Sequence, residues 1–212
     1  LLELLAKYDL PLIEDDIYGD LSYTLPRPRT IKSFDTDGRV ILCSSFSKTL
    51  AAGLRVGWVA PGRYIDKVMM MKYVSSMSTA TLNQLAIAEF VAQGYYEKHL
   101  RKMRKNYRRD RDAVIGWLKR YMPQDTRISY PQGGYLIWVE LPCDLDSIEL
   151  NQRAYEYRIR IAPGTLFSAS GKYKNFMRIN SSNSQEPEVE QAIATLGRLC
   201  HEMIEERPLP VA

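Results

Sequence analysis

Two short apolar runs constrain the fold most strongly, because each ends abruptly in polar residues that carry chemistry. The run at 10–13 closes on three acids at 14–16, and the run VILCSSF at 40–46 is followed by serine and lysine at 47–48. Such runs are typical of buried parallel strands that end at a polar sheet edge. A third run, at 56–60, is stopped by a proline–glycine pair. The first part of the chain is therefore predicted to be α/β.

The remainder of the chain alternates between predicted helices and predicted strands. Ser184 is a plausible N-cap for the last helix, because its hydroxyl can accept a backbone N–H. A long helix is expected to connect the α/β part, the C-terminal part of a larger domain with a mostly parallel sheet, to a separate small α+β domain. The predicted helices are 63–77, 81–92, 96–121, 146–157 and 185–206, and the predicted strands are 133–141, 158–162 and 176–181.

Composition excludes several classes of protein. The 212 residues are 45% hydrophobic and 25% charged, which excludes disordered, collagen-like and disulfide-rich chains. Cys43, Cys143 and Cys200 are widely spaced and odd in number, which favours reduced thiols in a cytoplasmic protein. No metal-ligand spacing and no membrane-spanning run occurs in the sequence, so we expect neither a metal nor a membrane partner.

A basic segment at 95–112, YYEKHLRKMRKNYRRDRD, holds eight lysines or arginines against three acids. A nucleic-acid surface is one interpretation, since clustered positive charge releases counterions from phosphate. The favoured interpretation is the solvated face of a long helix, with the side-chain stems packed along its apolar stripe. The net charge of +4 is too small to decide for nucleic acid.

The string CSSFSKTLAAGLRVGW at 43–58 carries the strongest chemical signal. It places the amine of Lys48 just past a strand, among the hydroxyls of Ser45 and Ser47, with the guanidinium of Arg55 seven residues on. This set suits a phosphorylated aldehyde: the amine forms a Schiff base, and the hydroxyls and guanidinium hold the phosphate dianion.

Two further positions complete the predicted site. Asp15 and Tyr18 lie three residues apart at the end of the first strand, where a carboxylate can keep a pyridine nitrogen protonated and a phenol can hydrogen-bond a ring hydroxyl. Arg178 lies in the apolar strand sequence NFMRINSS, where an arginine is costly unless it is paired. The forked guanidinium of an arginine suits a carboxylate, which it can bind with two hydrogen bonds.

The D-x-x-Y strand end, the S-x-S-K-(x6)-R string and the late R-I-N strand resemble fold-type I pyridoxal-phosphate (PLP) enzymes of the aminotransferase superfamily. The resemblance implies that Lys48 forms the imine with PLP, that Asp15 pairs with the pyridinium nitrogen and that Tyr18 bonds the phenolic oxygen. It also implies that Ser45, Ser47 and Arg55 grip the phosphate. Arg178 would clamp the carboxylate of an amino acid or amine ligand. Whether Asp15 or Asp16 faces the pyridine stays open.

Within that superfamily, 94–112 and 161–180 resemble the aminotransferase-like domain of MocR-type regulators, a GntR-family subgroup with a preceding winged-helix DNA-binding domain. They also resemble aromatic and 2-aminoadipate aminotransferases. Many MocR regulators show D-x-Y where this chain has D-x-x-Y, which leaves a true enzyme open. A regulator is the favoured function, a stand-alone aminotransferase is the alternative, and another PLP reaction or an inactive scaffold is the third.

Only 47 residues precede Lys48, too few for the phosphate loop and ring-stacking elements that such a domain has before its lysine. We therefore expect a C-terminal fragment that alone shows no visible imine absorbance. The predicted division is 1–95, the C-terminal part of the PLP-binding large domain, and 96–212, the small domain entered by the long helix. The resemblance further implies a homodimer that contacts DNA only through an N-terminal domain absent from this chain.

Overall fold

A computed structural model describes residues 1–142 and 145–206. The chain divides into two compact units, Leu1–Arg104 and Lys105–Ala212. The boundary lies within one helix, α4, which runs from Tyr95 to Tyr121 without interruption. The predicted division into 1–95 and 96–212, with its assignment to a large and a small domain, stays a prediction.

The first unit contains a three-stranded sheet in the order β1-β2-β3. Strands β1 and β2 are parallel, with Asp15 opposite Cys43, whereas β2 and β3 are antiparallel, with Ser45 opposite Gly57. The eleven residues at 46–56 join β2 to β3, and this connection is too short for the crossover that a parallel pair needs. The elements are α1 (Leu2–Lys7), β1 (Leu12–Asp15), β2 (Val40–Ser45), β3 (Gly57–Ala60), α2 (Ile65–Ser76) and α3 (Thr81–Ala92).

The second unit packs helices against an antiparallel sheet in the order β4-β5-β7-β6. Its core is one cluster of buried hydrophobic residues that includes Val114, Leu118, Ile137, Met177 and Leu196. The apolar stripes predicted for the long and the last helices supply much of this core. The elements after α4 are β4 (Arg127–Ile128), β5 (Leu136–Glu140), α5 (Ser147–Tyr155), β6 (Ala162–Pro163), β7 (Phe176–Asn180) and α6 (Pro187–Glu205).

Two local predictions for the second unit are wrong. Helix α6 begins at Pro187 with Glu186 at its N-cap, and the Ser184 hydroxyl instead donates to Asp110 Oδ1 (2.7 Å). Proline is favoured in the first helical turn because it needs no amide partner there, so it sets the start. The predicted strand 158–162 is reduced to β6, because Arg158 has a left-handed backbone (φ 60°) that breaks an extended strand.

No helix among the described residues is both long and apolar enough to cross a bilayer. Over the same residues, no group of three or more histidine, cysteine or acidic side chains is placed to hold a metal ion. Burial, and next the nearby Asp15 charge, raise the pKa of the Cys43 thiol, and burial raises the pKa of Cys200 to about 12. Both are free thiols, while Cys143 lies outside the described residues.

Candidate functional site

Lys48 lies in a turn at 46–50 that directly follows β2, and it is exposed. The hydroxyl of Ser45 organises the entry to this turn: it accepts the N–H of Ser47 (3.1 Å) and donates to the carbonyl of Val56 (3.2 Å). The N–H of Leu50 closes the turn on the carbonyl of Phe46 (2.8 Å). The turn thus holds the lysine backbone while leaving its amine accessible.

The two acids at the end of β1 have different surroundings. Asp16 forms an ion pair with Arg27 (2.8 Å), and its side chain is only 20% exposed. Asp15 is exposed and accepts one hydrogen bond, from the N–H of Ile17 (3.3 Å). A Cβ at Gly19 would clash with the side-chain ends of Arg27 and Asp16, so a larger residue there would force this ion pair to shift. Asp16 is therefore engaged, and Asp15 is the acid presented to solvent.

The parallel pairing of β1 and β2 brings these two segments to the same edge of the sheet. Beyond the last paired residues, the N–H of Asp16 donates to Cys43 O (2.9 Å) and the Ser44 hydroxyl donates to Asp16 O (3.2 Å). The carboxyl edge of parallel strands is where open α/β sheets bind ligands. Asp15 ends β1 and the half-buried Tyr18 follows it, while the Lys48 turn follows β2 at the same edge.

Arg55 lies two residues before β3. Because β3 runs antiparallel to β2, the start of β3 lies at the same edge of the sheet as the end of β2. Its backbone is left-handed (φ 52°), a conformation uncommon for residues other than glycine, and its side chain is exposed. The carbonyl of the next residue, Val56, accepts the N–H of Phe46 (3.1 Å). This bond, together with that from Ser45, ties the Arg55 segment to the start of the Lys48 turn.

No salt bridge within the described parts of the chain involves Lys48, Asp15 or Arg55. One sheet edge therefore presents an accessible amine, carboxylate and guanidinium, together with the hydroxyls of Ser45 and Ser47. Such a set can engage an aldehyde, a protonated ring nitrogen and a phosphate. The donors present fit the predicted cofactor.

Helix α4 contacts the two loops that form this edge. The Tyr96 hydroxyl lies 2.9 Å from Thr49 Oγ1 and 3.2 Å from Asp20 Oδ2. His99 Nε2 lies 2.9 Å from Thr49 O, and Arg104 Nε donates to Asp20 O (2.7 Å). Sequence reasoning missed these contacts. They join residues that are separated by 47 to 84 positions in the sequence, so no local pattern predicts them.

Arg178 lies in the second unit, on the inner strand β7, opposite Trp138 of β5. It is half-buried, and its guanidinium carbon lies 4.5 Å from the centre of the Phe167 ring. Trp138 itself packs edge-on against Phe167 (5.4 Å) and stacks with Phe176 (5.6 Å). The Phe167 ring thus packs against the guanidinium, and Arg178 takes part in none of the salt bridges among the described residues.

The basic helix also positions the glycine-rich loop PQGGY at 131–135. Arg111 is buried, forms an ion pair with Asp112 (2.7 Å) and donates to the carbonyl of Pro131 (2.6 Å). Other basic residues of the segment are exposed, namely Lys98, Arg101, Lys102, Lys105, Arg108 and Arg109. Part of this segment is thus structural and part forms a solvated face.

Comparison with protein families gives a match to the model "Aminotransferase class I and II" over residues 1–196. The uncharacterized HTH-type transcriptional regulator YjiR of Escherichia coli (strain K12) is 45% identical over 204 residues, which is 96% of this chain and 43% of that protein.

Solved structures show the same likeness. Kynurenine aminotransferase of Pyrococcus horikoshii superposes with a TM-score of 0.88 at 36% identity, over 98% of this chain and 51% of that one. The α-aminoadipate aminotransferase LysN of Thermus thermophilus, solved with N-(5'-phosphopyridoxyl)-L-leucine, gives 0.89 at 28% identity, over 96% and 53%. The chain spans about half the length of these relatives.

Proposed function

Because the chain belongs to the class I and II aminotransferase family, we propose that it contributes the lysine-bearing part of a PLP site in a GntR/MocR-type transcriptional regulator. The site would sense an amino acid or amine. One observation carries the proposal: the accessible amine, carboxylate and guanidinium meet at one sheet edge of a chain that is 45% identical to the regulator YjiR.

In this proposal each residue at the edge has a defined task. Lys48 holds the cofactor aldehyde through its amine, and Ser45, Ser47 and Arg55 hold the phosphate. Asp15 faces the pyridine nitrogen, because Asp16 is already paired with Arg27. Tyr18 bonds the ring hydroxyl. Away from this edge, in the second unit, Arg178 binds the ligand carboxylate through its guanidinium.

When bound, PLP supplies an electron sink that makes the Cα proton of an amino acid more acidic. Lys48 Nζ would be the base for that proton once the ligand amine has replaced it at the cofactor aldehyde, and Asp15 would keep the ring nitrogen protonated. In a regulator, ligand capture by Arg178 and Lys48 is sufficient. In the alternative, a stand-alone aminotransferase of the aromatic or 2-aminoadipate type, the same residues move the proton and the amino group passes to a 2-oxo acid. Similarity to kynurenine aminotransferase and LysN favours this second function.

The remaining parts of the proposal concern assembly. The protein acts in the cytoplasm as a homodimer and contacts DNA through a region outside this chain. The apolar character of α2, which has no buried residue in the structure, supports association with further protein surface.

The experiment is borohydride reduction of the full-length protein with PLP, followed by mapping of the labelled peptide. We expect the label on Lys48, its loss in Lys48→Ala, and its retention in the control Lys72→Ala on exposed α2. Label on another lysine, or label unchanged in Lys48→Ala, would refute the site.

A second pair of variants tests the acid. Asp15→Asn should weaken PLP binding and change its visible spectrum, whereas Asp16→Asn should mainly loosen the Arg27 ion pair. Regulator and enzyme are then separated with phenylalanine or 2-aminoadipate as probe. A regulator should change its DNA affinity without steady formation of 2-oxo acid, and an aminotransferase should release the 2-oxo acid.

A further inference from the structure

Tyr96, in the first turn of α4, connects the two loops of the candidate site. Its ring packs edge-on against Phe46 at the start of the Lys48 turn, with centroids 5.6 Å apart. Its hydroxyl lies within hydrogen-bond distance of Thr49 Oγ1, next to Lys48, and of Asp20 Oδ2, two residues after Tyr18. One phenol therefore spans the gap between the loop after β1 and the turn after β2.

The number of protons that each group can donate fixes the direction of these hydrogen bonds. A phenol has one proton to donate, and a carboxylate can only accept a hydrogen bond. The Tyr96 hydroxyl therefore donates to Asp20. The Thr49 hydroxyl then donates to the phenol oxygen. Burial above all raises the pKa of Tyr96 to about 12, so the phenol keeps its proton at neutral pH. The chain of bonds therefore runs Thr49, Tyr96, Asp20 in one consistent direction.

Neighbouring contacts make the connection firm on both sides. Thr49 is 5% exposed, and its carbonyl lies 2.9 Å from His99 Nε2, one helical turn after Tyr96. Asp20 is held by Arg27 (3.0 Å) at its carboxylate and by Arg104 at its carbonyl. Because Arg27 also holds Asp16, the α4 contacts reach the acid that follows Asp15.

We propose that Tyr96 is a positioning residue that sets the Lys48 turn against the Asp15–Tyr18 loop. It acts through Thr49 on one side and Asp20 on the other, and it touches neither cofactor nor ligand. This inference rests on the proposed function, because the distance it fixes matters only if Lys48 and Asp15 engage the same cofactor. The coupling between the two loops can nevertheless be measured without PLP.

The test compares Tyr96→Phe with Tyr95→Phe in the full-length protein. Both substitutions remove one hydroxyl from the same helical turn, but Tyr95 is 55% exposed and its described contact is with the Phe90 ring. In the cofactor-free protein, Tyr96→Phe should speed hydrogen exchange at the amides of Leu50 and Ala51, which close the Lys48 turn. Tyr95→Phe should not.

With PLP added, Tyr96→Phe should raise its dissociation constant roughly 3- to 10-fold, the effect of losing one hydrogen bond. The visible band of bound PLP should also shift in wavelength, because loss of the Tyr96 hydroxyl would let the Lys48 turn move relative to the Asp15–Tyr18 loop. A purely structural loss would reduce the amount of folded protein without shifting that band.

A double-mutant cycle supplies the second route if Tyr96→Phe folds poorly. Thr49→Val removes the partner hydroxyl at constant shape, and Thr49→Ser restores it. If Tyr96 acts through Thr49, the double variant should bind PLP about as well as the worse single variant, and Thr49→Ser should bind normally.

The outcomes are separable. Equal hydrogen exchange in Tyr96→Phe and Tyr95→Phe, or an unchanged dissociation constant and visible band, would overturn the positioning role while leaving Lys48 labelling intact. Additive effects of Tyr96→Phe and Thr49→Val would also overturn it. Absence of label on Lys48 would instead refute the proposed function, whatever the exchange data show.

Discussion

The two units of the chain differ in how well they bury their hydrophobic side chains. The second unit has one continuous cluster of buried hydrophobic residues drawn from three helices and two strands. In the first unit the buried hydrophobic residues are scattered, and most of the large exposed hydrophobic side chains lie there. Helix α2, IDKVMMMKYVSS, buries no residue at all. A helix that exposes this many large apolar side chains is normally covered by other protein surface.

This contrast indicates which of the two units depends on contact with other protein surface to cover its apolar side chains. The second unit can offset the conformational entropy of folding with its own core, whereas the first cannot bury comparable apolar area. The candidate PLP residues other than Arg178 all lie in the first unit. The unit that carries most of the candidate site is thus the unit with the smaller core of its own.

The strongest test of the comparison is to express each unit alone. We expect residues 105–212 to unfold in one cooperative thermal transition, and residues 1–104 to show none. Far-UV circular dichroism during heating measures both. A cooperative transition of similar sharpness in residues 1–104 would break the comparison.

A matched pair of leucines tests the contrast at single positions in the 212-residue chain. Leu118→Ala should lower the free energy of unfolding by about 2–5 kcal/mol, because Leu118 is fully buried in the second unit. Leu82→Ala on α3 should change it by less than about 0.5 kcal/mol, because Leu82 is 77% exposed. Urea unfolding measures both. A large loss for Leu82→Ala would mean that this face of α3 is covered.

Acid should weaken the first unit through Asp35. Burial acts to raise the pKa of Asp35, but the N–H of Val40, the Lys32 ammonium and the N–H of Arg39 outweigh it and lower that pKa to about 2. A carboxyl group with a depressed pKa stabilises the fold above its unfolded pKa of 3.8, and this stability is lost as pH falls toward 2. The loss should be about 2 kcal/mol.

Hydrogen exchange at the β2 amides between pH 4 and 2 measures this loss. Asp35→Asn should lack that part of the pH dependence, because the amide does not titrate. If the wild-type protein and the variant showed the same pH dependence, Asp35 would not be the responsible group.

The smallest expected effect compares two arginine–aromatic contacts, one in each unit. Phe167→Leu removes the ring against Arg178 and should weaken binding of phenylalanine or 2-aminoadipate to the full-length protein roughly 2- to 5-fold. Phe34→Leu removes the ring 4.1 Å from Arg29 in the first unit and should leave that binding unchanged. Isothermal titration compares them, and equal losses would argue against a specific role for Phe167.

Much of the fold could be predicted from local patterns. The strand runs at 10–13 and 40–46 and the stripe of the long helix each follow from hydrophobic period, and the α/β and family predictions are confirmed. The failures lie where a neighbouring residue overrides a local preference. Pro187 rather than Ser184 sets the start of α6, and the left-handed Arg158 shortens a strand.

The candidate site divides in the same way. Lys48, Ser45 and Arg55 form a local string, so spacing alone selects them, although their roles stay predictions. The contacts of Tyr96 and the engagement of Asp16 by Arg27 depend on how distant segments pack. Sequence spacing has no means to distinguish Asp15 from Asp16, whereas the ion pair does.

The left-handed backbone of Arg55 sets stability and chemistry against each other. A non-glycine residue in this conformation costs about 1 kcal/mol, which glycine would recover. Arg55→Gly should therefore stabilise the fold by about that amount and, at the same time, remove the guanidinium from the candidate phosphate-binding residues. A variant made for thermostability should keep arginine at this position.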